Sequence, residues 1–224
     1  MSSIDPMTIF FALVAIFVGW RLWSTLGART GAERPPVDPR RPTRVSGEVI
    51  DMPRAAPPPP PAADRWAGVA APGAPLARGL DAVAAGDPAF DPQQFLAGAR
   101  GAYEMVITAF AAGDVASLQR LVAPEALSNF TRAIDARNAA RQKMTTTLVS
   151  LDRAEIAEAT VQNDTAMVAV KFAAKLNSVT TDASGAVVEG SPTEVADHVE
   201  LWTFARAFAS RDPNWLLTAT EATH

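Results

Sequence analysis

From Phe90 onward, apolar residues recur with the two periods that separate helix from strand. Phe95, Ala99, Ala102, Val106 and Phe110 are spaced by three and four, one face of a helix. Asp91 before Pro92 supplies an N-cap and a first-turn proline, and Gly113 a stop, so the spacing predicts a helix over about 91–112. Asp114 caps a short second helix carrying Val115, Leu118 and Leu121. Pro124 opens a third, reaching about Lys143, with Leu127, Phe130 and Ile134 on one face. After Met144 the period drops to two. Thr145–Val161 and Thr165–Thr181 read as strands joined by a hairpin turn at Asn163–Asp164, and in the second run Ala166, Val168, Val170, Phe172, Ala174 and Leu176 alternate against Lys171 and Lys175. Asp182, Ser184 and Gly185 form a turn region. Val195–Ser210 reads as a long strand, turned at Asp212-Pro213-Asn214 into a last one near Trp215–Thr220. Three helices followed by four antiparallel strands predict an α+β domain, the helices packed on one face of a curved sheet as a cone.

Upstream, the pattern is different. Residues 7–23 read MTIFFALVAIFVGWRLW, with no charge before Arg21. That is about 25 Å of helix, enough for a short bilayer span, with Trp20 and Trp23 placed for an interfacial belt. A cleaved signal peptide needs positive charge ahead of the apolar run; here only Asp5 precedes it. Arg21, Arg29, Arg34, Arg40, Arg41 and Arg44 follow against Glu33 and Asp38. The asymmetry predicts a retained anchor over 7–26 in a bacterial inner membrane, single-pass, with the C-terminal side in the cytoplasm and the arginines against anionic headgroups. The start is read as Met1 or Met7, since Met7 heads the apolar run. Residues 31–89 hold thirteen of the eighteen prolines, including Pro57 to Pro61. Proline removes backbone donors and biases its neighbours toward extended states, so 27–89 reads as a disordered Pro/Ala-rich linker and the folded domain as 90–222.

Composition narrows the chemistry. No cysteine and two histidines among 224 residues exclude thiolate ligands and a cysteine nucleophile, and leave no multi-histidine metal site. There is no phosphate-binding glycine loop, serine elbow or paired metal-ligand spacing. Net charge is −4, and the region from Phe90 is itself acidic, the wrong sign for tracking phosphates, so no nucleic-acid partner is expected. The one basic patch of the domain is Arg132, Arg137, Arg141 and Lys143 along the third helix, read as a solvated face.

The specific signal lies at the C-terminus, where His198–Leu217 reads HVELWTFARAFASRDPNWLL. Alternation places Trp202, Phe204, Arg206 and Phe208 on one face and Leu201, Thr203 and Ala205 on the other, a strand expected to be covered on both sides. Arg206, on the aromatic face, is placed to stack on an aromatic ring or to pair with a carboxylate. Through Trp202, Thr203, Phe204, Arg206, Ser210, Asp212, Pro213, Asn214, Trp215 and Leu217, together with the FDPQQFLAGARGAYEMVITAFAAGD opening, the chain resembles the Tim44-like family. This is the C-terminal domain of the mitochondrial import motor's membrane-tethering subunit, and the anchor and Pro-rich linker are similar to those of bacterial members.

The resemblance implies a cone-shaped, nuclear-transport-factor-two-like fold over roughly 90–222. It also implies no catalytic activity and an adaptor or scaffold role at a membrane, in protein translocation or membrane-protein assembly; from the residues themselves, no cofactor and no metal are expected. The long basic N-terminal region with which the mitochondrial protein engages its chaperone has no counterpart here, so chaperone recruitment is not carried over. A protein segment or a lipid chain would bind in a pocket or on a sheet face formed by Tyr103, Phe110, Phe172, Trp202, Phe204, Arg206 and Trp215. Two other readings stand beside it. A secretion-system assembly protein would hold the domain outside the cytoplasm, against the arginine asymmetry. An isomerase or dehydratase of the same cone would use Tyr103 or His198 in a closed pocket with a carboxylate close by. Tyr103 falls off the Phe95 stripe and is expected at the helix boundary with its hydroxyl in water; His198 reads as an ordinary surface or edge-strand histidine.

Overall fold

The computed structural model describes residues 65–223. Four helices precede five strands: α1 Pro75–Gly86, α2 Pro92–Ala112, α3 Val115–Leu121, α4 Pro124–Ala139, then β1 Lys143–Gln162, β2 Thr165–Thr181, β3 Val187–Gly190, β4 Ala196–Ala207 and β5 Leu216–Ala222. The class is α+β with one antiparallel sheet. The expected anchor at 7–26 and most of the expected linker lie outside the described residues; among these, no helix is long and apolar enough to cross a membrane.

The helix ends obey the signals in the sequence. Asp91 accepts from the Gln94 N–H at 2.7 Å, and Gly113, at φ 71°, closes α2 in the left-handed region. Asp114 accepts from the Ser117 N–H at 3.0 Å, hydrogen bonding that holds its carboxyl below the usual carboxylate range. The third predicted helix, now α4, stops at Ala139 rather than Lys143, because Arg141 turns to φ 55° and the chain enters β1.

β1 and β2 form one long hairpin, paired from Lys143↔Thr181 to Gln162↔Thr165. Its turn at Asn163 and Asp164 has φ 47° and 57°, the doubly left-handed geometry that matches strand twist and that Asn and Asp tolerate. Register shifts between Leu148 and Ser150, Leu151 and Arg153, and Ile156 and Glu158 bend β1, as bulges do. The sheet order is β1-β2-β4-β5, with β3 pairing the far end of β2. β3 was not anticipated: Val187–Gly190 is short and exposed, with no alternation to read.

The domain starts earlier than composition indicated. Trp66 is buried, packs against Phe90, and donates to Asp81 at 2.8 Å. α1 fully buries Leu80 and Val83, each contributing about 1.5–3 kcal/mol of transfer free energy. α1 lies so close to β1 that a Cβ at Gly79 would overlap the Ala159 carbonyl oxygen; at Gly86 it would meet the Phe208 ring. Residues 65–89 therefore belong to the fold, and within that stretch the expected linker is replaced by a turn and a docked helix.

The core lies between the helices and one sheet face, around Tyr103, Phe172, Phe204, Leu118, Ile134 and Leu217. On the other face of β4, where full cover is expected, Leu201, Thr203 and Ala205 are half-buried rather than buried.

Candidate functional site

Strand alternation puts His198, Glu200, Trp202, Phe204 and Arg206 on the helix-facing side of β4. Opposite them on β2 stand Ala174, Phe172, Val170, Val168 and Ala166. α2 lays Phe95 and Tyr103 across this row. Tyr103 stacks at 4.8 Å on Phe172 and 4.6 Å on Trp202, and Phe95 meets Phe204 edge-on at 6.0 Å and Trp215 at 4.9 Å. Phe90 extends the chain of rings to Trp215 at 5.9 Å. Such tilted and edge-on pairs suit the ring quadrupoles and fill space rigidly.

Five of the seven candidate residues fall in this one aromatic body: Tyr103, Phe172, Trp202 and Phe204, all buried, and Trp215, half-buried at its end. Phe110 stands apart. It meets Phe130 of α4 edge-on at 5.6 Å and lies 5.2 Å beneath the Arg137 guanidinium. Arg206 pairs with Asp87 at the end of α1, and its guanidinium lies 5.3 Å over Trp215. Both modes expected for Arg206, aromatic stack and carboxylate pair, are present together.

Tyr103 departs from expectation. It is fully buried in the middle of α2, because the inward face runs Phe95, Ala99, Tyr103, Val106 rather than through Ala102. Its hydroxyl donates to Glu200 Oε2 at 3.0 Å. Burial, then the Glu200 charge and this hydrogen bond, push the phenol far above its ordinary value, so it stays protonated at any physiological pH. Sequence reasoning missed Glu200, although it sits two positions from Trp202 on the same face. The indole N–H of Trp202 and Nε of Arg206 are buried with no partner among the described residues.

Two shallow clefts among the described residues lie elsewhere. One, about 50 Å³, is on the outer sheet face: Met167, Ala169 and Leu201 floor it, Thr203 sits between, and Glu158 and Glu221 form opposite walls. The second, about 170 Å³, lies beside Pro75 and Leu76 at the start of α1 and shares Glu158 and Thr160 with the first. Enclosed small-molecule sites are usually about 300–1,000 Å³. Arg137, whose pKa burial lowers, still carries its charge and donates to the Phe110 and Ala111 carbonyls at 2.7 and 3.2 Å, closing the C-terminal end of α2. The predicted basic patch thus gives one of its members to a helix cap.

Two solved structures are similar to part of this chain. The crystal structure of the intermembrane space region of the chloroplast protein ARC6 aligns at 14% identity over 59% of this chain and 96% of that one, with a TM-score of 0.40. The structure of TsrD from Streptomyces laurentii aligns at 15% identity over 59% of this chain and 90% of its own, with a TM-score of 0.28. No curated protein matches the chain. The family model for the Tim44-like domain matches residues 76–222, beginning within α1 and ending with β5. With more than half of its length matched by that model, the chain belongs to the Tim44-like domain family.

Proposed function

We propose that this protein is a membrane-tethered, non-catalytic adaptor whose domain holds a protein partner on the outer face of its sheet. The observation that carries the reading is the contrast between the two faces. The helix-facing side is filled by the Tyr103–Phe172–Trp202 stack, while the opposite side leaves Met167, Leu201 and Thr203 half-buried around an open cleft. A peptide or lipid chain entering between helices and sheet has to displace those rings; one lying on the outer face leaves them in place.

The apolar run at 7–23 and the arginines after it support an inner-membrane anchor with the domain on the cytoplasmic side, serving protein translocation or membrane-protein assembly. One observation favours an enzyme: a tyrosine hydrogen-bonded to a carboxylate is the pair that reading asked for. Against it, the Tyr103 hydroxyl is sealed from solvent and its proton is held far too tightly for acid–base exchange near neutrality.

The test is site-specific photo-crosslinking in cells, with the photoreactive residue at Leu201 or Met167 and, as control, at exposed Ser128 on α4. The reading expects one recurrent protein adduct from the sheet positions and none from Ser128. Equal adducts from both, or none from either, reject it. Orientation is read in parallel: the chain has no cysteine, so His224→Cys gives a unique label for an impermeant maleimide. Labelling only after lysis supports the cytoplasmic assignment, and labelling of intact cells moves the secretion-assembly reading to first place.

A further inference from the structure

We infer that α1 is a displaceable guard over the last run of the β1 edge, and that this edge, once α1 lifts, pairs antiparallel with the same edge of a second copy of the chain. The surface is separate from the outer sheet face, and the inference does not depend on the adaptor reading.

In the order β1-β2-β4-β5, β1 stands at one end and pairs with β2 alone. An edge strand offers its outward N–H and C=O groups to any other strand, and folded proteins blunt it with bulges, charges or a covering element. Three register shifts cut this edge into the runs 143–148, 153–156 and 158–162. Lys143 heads the first, and Arg153 and Glu155 occupy the second. The third has no bulge, basic residue or proline, and α1 lies over it.

The parity of the ladder fixes what this run offers. Asn163 and Asp164 make a two-residue, doubly left-handed turn, so the flanking pair Gln162↔Thr165 exchanges both ladder bonds. Alternation then gives Thr160 to the ladder with β2 and turns the N–H and C=O of Ala159 and Val161 outward. Gly79 of α1 sits against that outward Ala159 carbonyl oxygen, where a Cβ would overlap it, so only a weak Cα–H donor meets the oxygen.

The guard is weakly held by its own sequence. α1 has twelve residues, its N-cap Ala74 makes no side-chain bond, and there is no acidic residue in its first turn and no basic residue in its last. Such a helix is marginal without the sheet beneath it. Leu80 and Val83 seat it, and Asp87 pairs with Arg206 at its far end. Beside Pro75 and Leu76, a cleft of about 170 Å³ already opens along Ala157, Glu158, Ala159 and Thr160.

A second copy fits this edge because the run is self-complementary. With Thr160 opposite the second copy's Thr160, Ala159 faces the second copy's Val161 and Val161 its Ala159, so each of these pairs exchanges both N–H···O bonds. Glu158 then stands beside Gln162, and no like charges oppose across the two-fold axis. The Thr160 pair is the close, non-hydrogen-bonded kind, about 4.5 Å between Cα atoms, within reach of a disulfide.

The test uses the purified full chain in detergent micelles and exploits the absence of cysteine. Thr160→Cys is oxidised alone, with Gly79→Ala, which pushes α1 off the strand, and with Asp87→Ala, which opens its latch. Disulfide-linked dimer should form at least about tenfold faster in both lifted variants, the gain that edge pairing gives through local concentration. Ser128→Cys on α4 and Gln162→Cys, which the register places opposite Glu158, should stay within about twofold of their own unlifted rates. Adding Val161→Pro should cancel the Thr160 gain, since that N–H serves the second copy and not β2. Unchanged Thr160 rates in both lifted variants overturn the inference. So does an equal gain at Ser128 or Gln162, which means general loosening or another register, and so does a gain that survives Val161→Pro.

Discussion

Replacing Gly79 by alanine tests whether α1 is an integral part of the domain. In an unconstrained helix interior, glycine to alanine stabilises by about 0.5–1 kcal/mol, through the backbone entropy that glycine loses on folding. Gly98 and Gly101 on α2 are such positions, with nothing within 4 Å of an added Cβ. At Gly79 the new methyl would overlap the Ala159 carbonyl oxygen and approach its carbon to 2.8 Å, so α1 must retreat by about 1 Å. The obstacle is strand backbone, which cannot rotate away like a side chain. Overpacking of this kind costs about 1–3 kcal/mol, so after the propensity gain Gly79→Ala should lose about 1–2 kcal/mol while Gly98→Ala gains. Urea unfolding of the full chain in micelles, followed by tryptophan fluorescence, measures both. An unchanged m-value with a lowered midpoint means a strained but docked helix; a fall in m means that α1 has come away. A Gly79→Ala protein as stable as Gly98→Ala would refute the packing argument and return residues 75–86 to a linker.

Tyr103 is the only tyrosine, so its phenolate absorbance reports one site. With its folded pKa raised, its contribution to stability is complete below the unfolded value of about 10 and is lost as pH climbs above that; phenolate should therefore appear only with unfolding, and Tyr103→Phe should remove that part of the alkaline sensitivity. Phenolate forming near pH 10 in the folded protein would contradict the buried hydrogen bond. A double-mutant cycle of Asp87→Ala with Arg206→Ala should give a coupling of about 1–3 kcal/mol, the two side chains being 18% and 19% exposed, and it should change little in high salt. Arg137→Ala should cost about 1–2 kcal/mol and speed amide exchange in the last turn of α2, with Arg137→Lys recovering part of the loss.

The helix caps and the hairpin were legible because each rests on a local geometric demand. Asp91, Gly113 and the Asn163–Asp164 turn do the same thing in the fold as in a short peptide. α1 was hidden by its surroundings. Leu76, Leu80 and Val83 recur at helical spacing, but they sit in a stretch whose proline content pointed to disorder, and only the sheet that α1 packs on stabilises the helix there. Tyr103 was misplaced by one position: with 3.6 residues per turn, Ala102 and Tyr103 are equally compatible with the stripe, and packing against Trp202 decides between them. The two-sided reading of β4 failed for a related reason. Leu201, Thr203 and Ala205 look core-like in a list of residues, yet they are only half-buried. Of the candidate residues, the sequence placed most in one cluster but could not distinguish lining a space from filling it.

The way the chain enters the domain also has a mechanical consequence. Among the described residues, tension arriving from the N-terminal side reaches Trp66 first, held by the Asp81 hydrogen bond and the Phe90 ring, and then α1, seated across β1 and latched at its far end by Asp87 and Arg206. None of these attachments is a rung of the β-ladder. A pull on this side therefore spends itself peeling a helix from a sheet whose hydrogen bonds stay intact. The outer face is shaped by those strands, so it keeps its form while the attachment gives.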